Sequence, residues 1–421
     1  MFRRILIPAL VQAFESFSFA WESLRNNKVR TSLSTLGITI GIFCIIMVLT
    51  MVDSLERNVE GSIESLGKDV IFIDKWPWDF SGDYKWWKYM NRPNVRLSEF
   101  RTVTEKSGLA SASAMVVTLG GVTAKYKSNS AEGINILGVS NGYNNVRSFD
   151  LVSGRFFTEN ESLNGSNVVV LGYAIAETLF PNINPLDKEI TIRGTKVKVI
   201  GVVAKEGESL IGNSMDNLVL LPVQTVANYV RINSDRANAQ IQVKASSHVP
   251  LEMMEDELRG IMRSIRKLKP WEEQNFALNK TTLITEPLKV FFSVMSIAGW
   301  IIGGFSMLVG GFGIANIMFV SVKERTNQIG IQKSLGAKNY FILIEFLVEA
   351  VILCLFGGAI GIAMVWGSSY AVTSILHFDI KLSWGNIFTG IFVSVVIGII
   401  SGIVPALSAS RLNPVDAIRS K

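Results

Sequence analysis

The side chains that could do metal or nucleophilic chemistry in this sequence are few. Its two histidines, His248 and His377, are far apart in the chain, and its two cysteines, Cys44 and Cys354, both sit in uncharged apolar runs. A zinc site needs three or four clustered nitrogen and sulfur ligands, and a Ser-His-Asp triad needs a positioned imidazole, so this inventory argues against both. No soluble segment carries a thiol, which leaves no disulfide framework. GSIESLGKD (61–69) resembles a phosphate loop but has five residues between its glycines and Asp69 where Ser or Thr is needed, so the pattern fails. GGFGIAN (310–316) resembles a dinucleotide turn but lies inside an apolar run. We therefore expect no catalytic residue, no cofactor and no metal ligand; if ATP drives this protein, another chain binds it. Glu345 and Glu349, one helical turn apart at the start of an apolar segment, are the remaining candidates. Intramembrane carboxylates often mark ion paths. No further ionisable residue continues a relay, which favours pairing with Lys333, Lys338 or the basic N-terminal helix, and leaves their role open.

Three sets of residues point to contacts rather than catalysis. The stretch SVKERTNQIGIQKSLGA (321–337) separates the apolar segments 290–322 and 341–376 and carries Lys323, Arg325 and Lys333, with Lys338 just beyond. Basic residues in a short loop between two spans place it in the cytoplasm. It reads as a short amphipathic helix with Glu324 and Arg325 at its start and Ile329, Ile331 and Leu335 as its apolar contacts. Gly330 and Gly336 are expected to permit tight turns at its two ends. Glycines four apart recur as Gly37/Gly41, Gly299/Gly303, Gly357/Gly361 and Gly398/Gly402, one pair in each apolar segment. Such pairs let helices approach closely in a membrane, although glycine is also simply common there. The third set is KWPWDFSGDYKWWKYMNRP (75–93), with Trp76, Trp78, Phe80, Trp86 and Trp87. It reads as a recognition surface, as a contact with the membrane interface, or as a loop packed on its own domain.

The elements that position these residues follow from hydropathy. The 421 residues are 48% hydrophobic and only 18% charged, with mean hydropathy +0.33. That mean suits a membrane anchor joined to a sizeable soluble domain. The formal charge of +6 gathers beside the apolar segments rather than on a nucleic-acid surface, so no nucleic-acid partner is expected. Residues 1–30 read as a cytoplasmic interfacial amphipathic helix, with Phe14, Phe17, Trp21, Leu24 and Val29 on one face. Segment 31–52 is a first span, held inside at its start by Arg25, Lys28 and Arg30. Residues 53–286 are then external, 287–322 a second span, 323–338 a cytoplasmic loop, 339–376 a third span, 377–384 a short outer turn, 385–410 a fourth span and 411–421 a cytoplasmic tail. Both termini lie inside. The fold class is thus four transmembrane helices plus a large extracytoplasmic α/β domain, expected in two subdomains. Its strand candidates are 69–73, 113–119, 121–127, 167–171, 189–193, 196–203, 217–221 and 239–245, and its helix candidates 97–107, 172–180, 223–231 and 250–267.

Three stretches, ESLRNNKVRTSLSTLGITIGI (22–42), SVKERTNQIGIQKSLGA (321–337) with FLVEA (346–350), and PALSASRLNPVDAIR (405–419), together resemble the MacB/FtsX-like permease family of ABC transporters. ILGVSNGYNNVRSFDLVSGRFF (136–157), VVVLGYAIAETLF (168–180) and VKVIGVV (197–203) are similar as well, so the resemblance covers essentially the whole chain. It implies a homodimer in the inner membrane, a periplasmic domain between spans one and two, and a cytoplasmic coupling helix (Glu324, Arg325, Ile329, Gly330, Ile331, Lys333, Leu335 and Gly336) docked on an ABC ATPase. It also implies mechanotransmission, in which ATP-driven closure of the ATPase pair moves the periplasmic domains. Because the sequence opens at the interfacial helix, the ATPase is expected as a separate chain. The loop departs from the family pattern at Asn327, Gln328, Gln332 and Ser334, which makes the coupling helix less charged. The implied function is export with a periplasmic adaptor and an outer-membrane duct. The alternatives are a lipoprotein-releasing permease, or a transmembrane regulator of a cell-wall hydrolase, against which the large external domain argues.

Overall fold

The computed structural model describes residues 28–78, 84–207, 214–232, 234, 237–376 and 380–419, which divide into two compact units. One comprises the described residues up to Glu56 and from Val290 onward, the other Arg57–Lys289. The interfacial helix expected over 1–30 falls almost wholly outside the described residues, as do Phe80, His377 and the tail's last two positions. The main helices in chain order are α1 (Lys28–Leu66), α2 (Leu97–Lys106), α3 (Tyr173–Leu179), α4 (Leu251–Ile265), α5 (Thr282–Glu324), α6 (Thr326–Ser334), α7 (Asn339–Leu376), α8 (Trp384–Ser410) and α9 (Pro414–Arg419).

Four segments, Ser34–Ile63, Thr282–Glu324, Asn339–Ile375 and Trp384–Ser410, are long and apolar enough to cross a membrane. The helices overrun the apolar runs that announce them: α1 continues past residue 52 to Leu66, and α5 begins before residue 287, at Thr282. An uncharged run marks what lipid tolerates, whereas the backbone ladder continues as long as local propensity permits. Around the α1 segment pack Ile38, Ile42, Ile45 and Ile46 with Met307, Met318, Phe346 and Cys354. Outward stand large apolar side chains such as Phe312, Trp366, Phe388 and Phe392, the all-round apolarity expected of helices surrounded by hydrocarbon. Polar ties supplement this packing. Thr39 Oγ1 donates to the Gly357 carbonyl at 3.1 Å, and Asn386 Nδ2 donates to Asp53 Oδ2 at 2.8 Å.

The second unit is built on one ten-stranded mixed sheet. Its strands are β1 (Val70–Asp74), β2 (Ala110–Tyr126), β3 (Asn129–Val139), β4 (Leu151–Gly154), β5 (Val168–Leu171), β6 (Glu189–Ile192), β7 (Thr195–Val203), β8 (Leu218–Pro222), β9 (Asn238–Ala245) and β10 (Ala277–Lys280). The hydrogen-bonded order is β10-β1-β9-β2-β3-β8-β5-β7-β4, with β6 pairing both β2 and β7. Because successive side chains alternate between faces, the apolar residues of each strand divide in two. Ile71, Ile73, Met115, Val117, Val219 and Leu221 join one buried layer, and Val70, Phe72, Ala114, Val116, Leu218 and Leu220 the other. The expected subdomains therefore share a single sheet buried on both faces. From α4, Met254, Leu258 and Met262 enter the first layer at four-residue spacing.

The strands read separately over 113–119 and 121–127 are one 17-residue strand, β2, whose register shifts across the Gly120-Gly121 pair. Gly121 sits there at φ +69°, in the left-handed region that glycine enters at least cost. β3, β4 and β10 were not among the strand candidates. β3 pairs with β2 from Tyr126↔Asn129, so the turn is Lys127-Ser128, with Lys127 itself left-handed at φ +48°. No Asn-Gly or Asp-Gly pair advertises that hairpin.

Candidate functional site

Helix α6 is set by its ends. Arg325 breaks the path from α5 with φ −98° and ψ 11°, and Thr326 Oγ1 donates back to the carbonyls of Val322 and Lys323 at 3.0 and 2.9 Å. At the far end Gly336 has φ +99°. Gly336 N–H donates to Lys333 and Ala337 N–H donates to Gln332, both at 3.0 Å. This is a Schellman closure, which satisfies the helix's last carbonyls and requires a residue able to take positive φ. Gly330 makes no turn: it is buried in the middle of the helix, which corrects the expectation that it punctuates an end.

The eight residues expected to contact an ATPase divide between two faces. Ile329 is 2% exposed and packs with Val322, Phe346, Ala406 and Ala409 in the helical core. Lys333 Nζ donates to the carbonyls of Ser410, the last residue of α8, and Leu412, two residues beyond it, 2.7 Å each. Those carbonyls have no further helical turn to accept, and a cation there also complements the helix dipole. Arg325 Nη1 lies 3.5 Å from Glu349 Oε2. Arg325, Ile329, Gly330 and Lys333 thus hold α6 to its own unit. Ile329 is therefore not available as an apolar anchor for another chain, since its side chain is already spent on the core. Glu324, Ile331, Leu335 and Gly336 face outward, with Leu335 84% exposed and Ile331 49%. Asn327, Gln328 and Gln332 are exposed too, as are Tyr340 and Phe341 at the start of α7, whose rings stack at 4.5 Å. The two aromatics were not singled out in the sequence, although their place beside Lys338 was a usable signal. Glu349 is paired by Arg325 rather than by either of the lysines expected for it.

The glycine pairs lie at close helix contacts. A Cβ on Gly37 would stand 2.9 Å from Gly310 Cα, and one on Gly310 would stand 2.6 Å from the Ile38 nitrogen. Gly41 and Gly303 face each other's carbonyls at 3.1 and 2.9 Å by the same measure. Gly299 meets Val48, Gly357 and Gly361 meet the α1 backbone at Thr35 and Thr39, and Gly398 and Gly402 meet Val351 and Ala350. Gly310, which meets Gly37 and Ile38 of α1, belongs to none of the four pairs and lies in the GGFGIAN stretch.

The aromatic stretch splits. Trp78 is half-buried, its ring 4.9 Å from Phe72, and the buried Asn279 accepts from the Trp78 N–H at 2.9 Å and donates to the Trp76 carbonyl at 2.8 Å. Trp86 and Trp87 are 52% and 56% exposed, with their rings edge to face at 6.0 Å.

Residues 31–261 match the MacB-like periplasmic core domain, and residues 300–414 match the FtsX-like permease C-terminal domain. The chain belongs to the MacB/FtsX-like family of ABC transporter permeases. The permease is 29% identical over 415 residues to the macrolide export ATP-binding/permease protein MacB of Bdellovibrio bacteriovorus, covering 97% of this chain and 62% of that protein. It is 30% identical over 411 residues to the ABC transporter permease YknZ of Bacillus subtilis, covering 96% of this chain and 98% of YknZ. The permease thus spans about three-fifths of the MacB protein it matches and nearly all of YknZ. Among solved structures, the periplasmic region of MacB from Actinobacillus actinomycetemcomitans aligns with TM-score 0.43 at 22% identity, covering 54% of this chain and 95% of that one. The extracellular domain of YknZ aligns with TM-score 0.38 at 20% identity, covering 50% of this chain and 98% of that one. The permease therefore combines transmembrane helices with a periplasmic-type α/β domain.

Proposed function

We propose that this chain is the membrane subunit of an ABC exporter and that an ATPase carried on a separate chain docks on the outward face of α6. The observation that carries the reading is the division of α6 into a face tied to its own unit and a face that is not. Ile329, Lys333 and Arg325 fasten the helix to α5, α7 and α8, while Ile331 and Leu335 stand exposed. A helix fastened in this way moves with the spans, so a push on its outer face reaches the helices that lead to the external domain. YknZ, which the chain matches almost end to end, is named a permease alone, whereas the MacB relatives are named ATP-binding/permease proteins. That difference supports a partner ATPase. We further propose an inner-membrane homodimer, with both termini and α6 in the cytoplasm and the α/β domain in the periplasm. It would work by mechanotransmission with a periplasmic adaptor and an outer-membrane duct.

The test is Leu335→Asp. Burying a leucine side chain contributes roughly 1.5–3 kcal/mol, so charging this position should weaken ATPase association at least about tenfold. The variant should leave the thermal unfolding of the purified permease unchanged. Wild-type recovery of the ATPase with the variant, together with wild-type transport, would show that α6 is a connector only.

A further inference from the structure

The external unit holds a cavity of about 490 Å³ beside β10, the edge strand of its sheet, within the range of roughly 300–1,000 Å³ common for small-molecule sites. Its lining includes Trp78, Tyr89, Arg92, Glu273 and Asn279. Arg92 is held in place before any ligand arrives. Its guanidinium carbon stands 4.5 Å from the centre of the Tyr89 ring, and Nη1 donates to the Phe276 carbonyl at 3.2 Å. A guanidinium stacked on a ring and tethered at one nitrogen keeps other donors of its planar fork for a carboxylate. Because Arg92 is already ordered, little side-chain entropy is lost when it binds. The Trp78 wall is equally fixed, since Asn279 bonds to the backbone on both sides of Pro77 and the indole rests on Phe72. Glu273 lines the same space from the exposed loop before β10. Separate charges of opposite sign over an aromatic wall complement a molecule that carries both signs on a flat apolar body.

We propose that this cavity binds a small zwitterionic molecule with an aromatic body, its carboxylate on Arg92 and its ammonium toward Glu273. The inference stands independently of the export reading, because it concerns binding to the external unit and not docking on α6.

The probe is phenylalanyl-phenylalanine, titrated calorimetrically into the full chain in nanodiscs, with empty nanodiscs as the blank. Its C-terminal amide and its N-acetyl derivative keep the same body and each remove one charge. The zwitterion should bind saturably, and about tenfold or more tighter than either derivative. Arg92→Gln should abolish the preference over the amide, and Arg92→Lys should retain part of it. Glu273→Gln, at an exposed position, should abolish the preference over the N-acetyl form while the unfolding midpoint stays unchanged. Equal binding of all three probes, or no saturable heat above the blank, would overturn the proposal. So would preferences that survive both charge-removing substitutions. Should Arg92→Gln fail to fold, the three probes on the wild type and on Glu273→Gln still decide it.

Discussion

Arg325 and Glu349 form a 3.5 Å ion pair that joins the hinge between α5 and α6 to α7, and the carboxylate is only 2% exposed. A buried pair of this kind adds little net stability, because desolvation offsets its attraction, but removing one partner strands a buried charge. Arg325→Ala should therefore lower the stability of the helical unit by on the order of 3–5 kcal/mol, and Arg325→Ala with Glu349→Gln should recover a large part of it. Thermal unfolding in detergent measures both. A double variant no better than the single one would show that the pair's charge is not what matters.

Ile329→Ala should cost about 2–5 kcal/mol in the same assay, as expected for truncating a fully buried isoleucine. Leu335→Ala, on the outer face, should change stability by less than about 0.5 kcal/mol. If the two substitutions cost the same, the assignment of α6 faces is wrong.

Gly336→Ala forces a side chain into φ +99°, where a Cβ is strained whatever space surrounds it. The expected cost is about 1–3 kcal/mol, with no change in any contact of the outer face. The comparison is Ser334→Ala, which alters the last helical residue, two positions earlier, and should be near neutral.

Glu161 closes a capping box with Thr158 and pairs with Arg155 at 2.7 Å. The Arg155 hydrogen bonds, more than any other influence, bring its pKa down to about 2 from an ordinary 4.5. A depressed carboxylate stabilises above its unfolded pKa and loses that contribution as pH falls through the folded one. Arg155 is half exposed, so only a cap-sized effect of about 1 kcal/mol is expected. Wild type should exceed Glu161→Gln by that margin near pH 6, and the gap should close between pH 4.5 and about 2. A gap that persists unchanged below that window in acid-unfolding curves would exclude the charge as its source.

The linear sequence determined whatever depends on composition and local periodicity. Uncharged runs longer than a bilayer needs identified four spans, and β-branched segments such as KVKVIGVV announced β7. Glycines at four-residue spacing marked faces on which helices could meet. Tertiary structure alone decided what depends on partners distant in the chain. β10 is four residues long and becomes a strand by pairing with β1 across some two hundred positions. Ile329 and Leu335 are alike in hydropathy and lie six residues apart, yet one is buried and the other exposed, because α7, α8 and α9 cover only one side of α6. The placement of Arg92 against Phe276, and of Lys333 against Ser410, likewise has no local signature. Hydropathy says that a side chain will leave water, and only the packed fold says whether its own chain is what covers it.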